Sequence, residues 1–152
     1  MDVQAETKTH ELVIERRFDA PPELLFKMWT EPEHIVRWWG CPMMRANKVT
    51  NDLRVGGGFR SEMTLEDGVE HTLFGTYREI EPPTRVSFTW TWENETMGRG
   101  YETLVTVMLA ADGDGTMMTL RHEFFEDADM RDQHNEGWTA SVDRLSGIVA
   151  EG

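Results

Sequence analysis

The sequence predicts an α+β fold, a curved antiparallel sheet with one long C-terminal helix across its apolar face. Three observations predict it. From about Asp129 to Val149, the residues Met130, His134, Trp138, Ser141, Val142, Leu145, Ile148 and Val149 recur three or four apart, one stripe of an amphipathic helix. Most of the chain before it alternates with a period of two, as strands with one buried face do. A sheet with an apolar face needs an element to cover it, and the helix supplies that element.

Taken in order, Glu11 to Phe18 reads as a first strand, with Leu12, Ile14 and Phe18 of one parity and Arg16 the polar member of that face. Ala20-Pro21-Pro22-Glu23 stops the strand and starts a helix, because proline is tolerated in a first turn and glutamate favours that end. Leu24, Leu25, Met28 and Trp29 form its apolar side. Pro32 interrupts it, and Glu33 to Trp39 reads as a second short helix ending at Gly40. Six further strands follow: Arg45 to Asp52, Phe59 to Leu65, Val69 to Ile80, Arg85 to Glu93, Tyr101 to Leu109 and Thr116 to Phe125. Asp67-Gly68 and the run Asp112 to Gly115 are hairpin turns, and Asn94 to Gly100 is a loop. Arg85 to Glu93 alternates most cleanly, with Val86, Phe88, Trp90 and Trp92 on one face. Asp127 and Asp129 precede the long helix, where a carboxylate caps free N–H groups and opposes the dipole. Arg131, Asp132, Glu136, Asp143 and Arg144 are expected to face water.

The 152 residues make one domain, 1–152, with residues 1–10 a polar and flexible tail. Acidic residues outnumber basic ones by 28 to 15, a formal charge of −13, so a phosphate backbone is not an expected partner. Lone Cys41 excludes an intrachain disulfide and suits a reducing compartment. Met1 to His10 lacks an apolar run, so neither a signal peptide nor a membrane anchor is expected, and the cytoplasm is the expected location. Without secretion, the glycosylation sequon Asn94-Glu95-Thr96 carries no meaning.

Ten methionines and six tryptophans are unusual for this length. Both residue types suit a pocket for a greasy ligand, and both equally fill an ordinary core. If the Trp90/Trp92 face looks toward the long helix, the space between is walled by aromatic and methyl-rich groups. The expected ligand-binding residues are Phe59, Ser61, Met63, Tyr77, Phe88, Trp90, Trp92, Tyr101, His122, His134, Trp138 and Val142. Val142 is expected near the middle of the cavity floor. Gly137 costs about 1 kcal/mol against alanine inside a helix, so it permits close approach of either the sheet or a ligand.

Catalytic signals are weaker. His122 with His134, Tyr77, or His71 beside a carboxylate would suit acid–base work, although a single inward histidine is more often a core residue. Cys41 lacks an adjacent histidine and reads as a buried hydrophobe. The histidines at 10, 34, 71, 122 and 134 have no metal-ligand spacing. Gly56-Gly57-Gly58 is not followed by Gly-Lys-Ser/Thr, so it reads as a tight turn or bulge. No metal and no cofactor is expected.

Several fragments carry a resemblance when taken together: Arg17-Phe18-Asp19-Ala20-Pro21, Thr30-Glu31-Pro32, Trp38-Trp39-Gly40 and Asp52-Leu53-Arg54-Val55-Gly56-Gly57. They continue with Gly75-Thr76-Tyr77, Ile80-Glu81-Pro82-Pro83, His134-Asn135-Glu136-Gly137-Trp138 and Asp143-Arg144-Leu145. In this order and spacing the chain resembles the activator of Hsp90 ATPase homologue family, within the START-like (SRPBCC) superfamily. Cys41, between Trp-Trp-Gly and Pro42, departs from the pattern. The resemblance implies a helix-grip fold, a curved seven-stranded antiparallel sheet gripping a long C-terminal helix over a hydrophobic cavity. It implies no set of catalytic residues. Three readings follow: a binding protein for a small apolar or amphipathic molecule, an enzyme of cyclase or hydrolase type in the same cavity, and a chaperone-interaction module. The resemblance to the co-chaperone covers one domain. A chaperone or a second copy of the chain is the expected protein partner, if there is one.

Overall fold

The structure is a computed structural model that describes residues 10–39, 44–93 and 102–151. The expected tail (except His10), Cys41, the loop Asn94–Gly100 with its sequon, and Tyr101 lie outside the described residues. The elements run β1 (His10–Phe18), α1 (Pro22–Thr30), α2 (Pro32–Trp38), β2 (Met44–Asn51), β3 (Gly58–Leu65), β4 (Glu70–Glu81), β5 (Arg85–Trp92), β6 (Thr103–Asp112), β7 (Gly115–Phe125) and α3 (Ala128–Glu151). The seven strands form one sheet in the order β1-β7-β6-β5-β4-β3-β2, and every neighbouring pair is antiparallel. Among the described residues no helix is long and apolar enough to cross a membrane.

Local chemistry sets the element ends. Pro22 and Pro32 open the two short helices, where a missing N–H costs nothing. Helix α2 starts one residue before the expected Glu33 and stops at Trp38, so Trp39 is an extended C-cap residue whose N–H still reaches Ile35 O. This exit turns Trp39 away from its helical neighbour. Asp127 caps α3, its carboxylate accepting from Met130 N at 2.8 Å. The expected glycine turn is real: Gly56 sits at φ +89°, and a Cβ on Gly57 would lie 2.1 Å from Asp52 O. Gly56 N and Gly57 O in turn bond the backbone of Tyr77, which ties the turn to β4.

One irregularity changes what the sheet presents to the core. Leu12 pairs with His122 but His10 pairs with Phe125, so β7 carries one extra residue opposite Glu11. Phe124 takes up the slack at φ 74°, an uncommon conformation for a bulky residue, and its ring is exposed. The bulge turns Phe125 inward beside His122, with ring centroids 4.3 Å apart.

The core lies between the sheet and α3. Val142, Leu145 and Val149 are buried on the expected stripe, as are His134, Trp138 and Ser141. Asp143 is exposed and accepts from Arg16 of β1 at 2.8 Å, which accounts for a polar residue on the inward parity of that strand. Arg144 does not simply face water as expected: its guanidinium donates to Trp38 O at 2.6 Å, joining α3 to the end of α2. Trp38 is itself fully buried and donates its indole N–H to Met28 O at 2.9 Å, joining α2 to α1.

Leu145→Asp should prevent folding, since it places an unpaired charge where no side-chain surface is exposed. Asp143→Ala removes a solvent-exposed ion pair and should cost about 1 kcal/mol or less. Thermal melts of the two variants check this, and equal melting temperatures would refute the assignment of the buried face.

Candidate ligand cavity

All six tryptophans belong to one continuous aromatic cluster. Trp29 and Trp38 form its base, and Trp39, Trp90 and Trp138 form its centre with centroids 5.1 to 5.5 Å apart. Trp92 extends it from Trp90 along β5, at 5.8 Å. Beside this cluster, between the sheet and the first half of α3, is a partly open cavity of about 190 Å³.

Each wall has a distinct source. Met63 and Leu65 come from β3, His71 from β4, Trp90 and Trp92 from β5, and Trp39 from the end of α2. Helix α3 contributes Gln133, His134, Gly137, Trp138 and Ser141. Trp39, Trp90, Trp138 and Ser141 are buried, whereas Leu65, His71, Gln133 and Gly137 are partly or largely exposed. The mouth therefore lies between the β3–β4 hairpin and the first turns of α3, with the tryptophans behind it. The surface of the cavity is nearly wholly apolar.

Two histidines hold the tryptophan walls in place. Trp92 Nε1–H donates to His134 Nε2 at 2.8 Å, and His134 Nδ1 lies 2.8 Å from Met130 O. An indole only donates and a carbonyl only accepts, so His134 is neutral with its proton on Nδ1. His122 is the mirror case. Trp138 Nε1–H donates to its Nδ1 at 3.0 Å, so the proton sits on Nε2 and points to Thr103 Oγ1 at 2.7 Å. Thr103 passes its own hydroxyl proton to Trp90 O at 3.2 Å. Burial pushes the pKa of His122 well below the usual histidine range, and neighbouring His134 adds to the shift. Burial also lowers that of His134, partly opposed by its bond to Met130.

The expected site residues divide into groups. Met63, Trp90, Trp92, His134 and Trp138 line the cavity. Phe59, Ser61, Tyr77 and Phe88 line a separate void of about 20 Å³, room for about one water. There the Tyr77 hydroxyl accepts from Asn51 Nδ2 at 3.0 Å, and burial raises its pKa, partly offset by that bond, so it is a neutral phenol. His122 is fully buried and does not reach the cavity surface, where Trp90 and Trp138 stand instead. Val142 is likewise fully buried and belongs to the packed half of the helix rather than to the cavity floor.

Trp39, Leu65, Gln133 and Ser141 are lining residues that the sequence does not assign to a site, while His71 is expected only as an acid–base candidate beside a carboxylate and Gly137 only as a point of close approach. Leu65 continues the parity of Met63, and Gln133, Gly137 and Ser141 are spaced by four, so both signals were present. His71 needed the hairpin register, which sets it opposite Met63. Trp39 needed the helix to end one residue early. At Gly137 an added Cβ would meet nothing within 4 Å, so the glycine opens onto the cavity rather than onto the sheet. Among the described residues no group of three or more His, Cys, Asp or Glu is placed to hold a metal ion.

The strand order and the helix laid across the sheet define a START-like domain of the helix-grip type. A family model described as Activator of Hsp90 ATPase homolog 1-like protein matches residues 19–150, and the chain belongs to that family. Solved structures agree. A protein from Chromobacterium violaceum superposes with a TM-score of 0.84 at 25% identity, over 91% of this chain and 96% of its own. An AHSA1 protein from Silicibacter pomeroyi gives 0.79 at 29% identity, over 93% and 98%. A protein from Rhizobium leguminosarum gives 0.80 at 28% identity, over 94% and 95%. No curated protein sequence matches the chain.

The tryptophan–histidine pairs give stability a direction in pH. Folded His122 and His134 resist protonation, while unfolded histidines take up a proton near pH 6.5. The unfolded state then binds more protons, so stability is full above about pH 6.5 and is lost as pH falls, by up to about 1.4 kcal/mol per histidine per unit. Denaturant melts at about pH 7.5 and about pH 5.5, where carboxylates stay largely ionised, should show the loss, and His122→Gln should shrink it. Equal stability at the two pH values would refute the neutral pairs. Gly137→Ala should instead raise stability by about 1 kcal/mol, because it gains helix propensity and meets open space.

Proposed function

We propose that the protein binds a small apolar or amphipathic molecule in the cavity between β3–β5 and α3. The observation that carries this reading is the cavity itself, about 190 Å³ with a nearly wholly apolar surface. Apolar walls of this kind interact poorly with water, and an apolar guest takes them out of water and adds dispersion contacts. The family's fold, which commonly houses hydrophobic ligands, points the same way.

Acid–base catalysis by His122 and His134 is the less favoured reading. Both nitrogens of His122 and of His134 are engaged, each ring accepts from an indole, and neither offers a free lone pair to a substrate. Tyr77 stands in the other void as a neutral phenol. The binding reading needs no metal or nucleotide. The cytoplasm remains our proposed compartment, on the lone cysteine.

Native mass spectrometry of freshly purified protein should show a carried small molecule. Titration with prodan, an uncharged naphthalene dye that brightens in apolar surroundings, should saturate and should perturb tryptophan fluorescence. Gly137→Leu, which fills the cavity from its floor, should abolish the dye signal while the melting temperature holds. Wild-type protein that carries nothing and binds no dye would refute the reading.

A further inference from the structure

The shape and chemistry of the cavity also restrict what it can take. Gly137 offers bare backbone to the cavity, with nothing within 4 Å of the position a Cβ would fill. Ser141, one turn later and also lining the cavity, adds only a small side chain. The helix wall is therefore low along the turn from Gly137 to Ser141, with His134 and Trp138 rising beside it. Facing it are the rings of Trp39, Trp90 and Trp92. A space with a low floor and aromatic walls is a slot.

Size sets an upper bound. An apolar cavity of about 150 Å³ takes benzene, whereas sites for drug-sized ligands run from about 300 Å³ upward. At about 190 Å³, the slot encloses one ring or two fused rings and is too small to enclose a sterol. Rigidity adds to the preference, since a flexible chain must give up its rotamers on entry and a fused ring has none to give up.

Charge sets the remaining condition. Among the described residues no Lys, Arg, Asp or Glu lines the cavity, and the chain carries a formal charge of −13. Both nitrogens of His134 are occupied, and the unpartnered Nε1 of Trp90 and Nδ1 of His71 are enclosed rather than presented at the surface. An ion entering the slot would lose its water and find no carboxylate, ammonium or guanidinium partner among the described lining residues. The amide of Gln133, at the exposed mouth, remains for one polar substituent.

We infer that the slot selects an uncharged, planar aromatic molecule of one or two rings, lying against Gly137 with any hydroxyl or carbonyl group at the mouth. The inference rests on the binding reading above and narrows it. Gly137 is then the position that determines specificity.

Calorimetric titrations of the whole protein near neutral pH test it with four probes. These are 2-naphthol, 1-decanol with the same number of heavy atoms, 2-naphthoate and 2-naphthylmethylammonium. 2-Naphthol should bind at least about tenfold more tightly than each of the others. Gly137→Leu should weaken 2-naphthol by about tenfold or more, and Gly137→Ala by less, with both variants melting at or above wild type. Decanol binding as tightly as naphthol would overturn the planar preference while the apolar cavity stood. Either ion matching naphthol would overturn the requirement for an uncharged guest. Unchanged naphthol affinity in a folded Gly137→Leu protein would overturn the placement at the helix floor. Failure of all four probes would bring down the binding reading itself.

Discussion

The arrangement of the domain depends on two indole–imidazole hydrogen bonds, Trp92 to His134 and Trp138 to His122. Each crosses between the sheet and α3, and the two cross in opposite senses. In one, a sheet tryptophan donates to a helix histidine; in the other, a helix tryptophan donates to a sheet histidine. Such bonds steady two of the indoles beside the open space, because a buried N–H without an acceptor is costly, whereas Trp90, its Nε1 without a partner, is held by ring packing against Trp39 and Trp138. A neutral imidazole answers this need, since it accepts at one nitrogen and disposes of its own proton at the other. The histidines serve the wall, and the wall keeps the space open.

Helix α3 is correspondingly divided along its length. Its second half is pinned by Arg16–Asp143, by Arg144 to Trp38 O, and by Val142, Leu145 and Val149 in the core. Its first half lies over the cavity and presents a glycine to it. A strong helix former at residue 137 would stabilise the fold and shrink the space, so the glycine sets open volume against stability.

The fold was legible in the sequence because it rests on periodicity. The three-to-four spacing of α3, the clean alternation of β5 and the proline and glycine punctuation each report a backbone geometry directly. The cavity was only partly legible, for a physical reason. Parity says that Phe59, Ser61, Met63 and Leu65 share a face, but not that the first two meet a small void and the last two the large one. That division depends on where α2 ends and Trp39 turns, which is decided by tertiary contacts such as Trp38 with Met28 and Arg144. Inward parity likewise identified His122 without showing that two tryptophans stand between it and the cavity.

The bulge at Phe124 bears on where the length of this chain is fixed. In a regular β7 paired to β1, His122 and Phe124 would share the inward face, and Phe125 would look outward. The extra residue reverses the parity of the last segment, so it is Phe125 that packs against both His122 and His134, with centroids 4.3 and 4.9 Å away. Loss of a single residue here would restore ideal pairing and at the same time withdraw the ring that backs both imidazoles. The turn at Asp67-Gly68 is different, because it sits at the exposed tip of a hairpin and nothing lies within 4 Å of where a Gly68 side chain would be. Insertions and deletions among relatives should therefore collect at that tip and avoid the β1–β7 bulge, although the bulge is locally the more strained of the two.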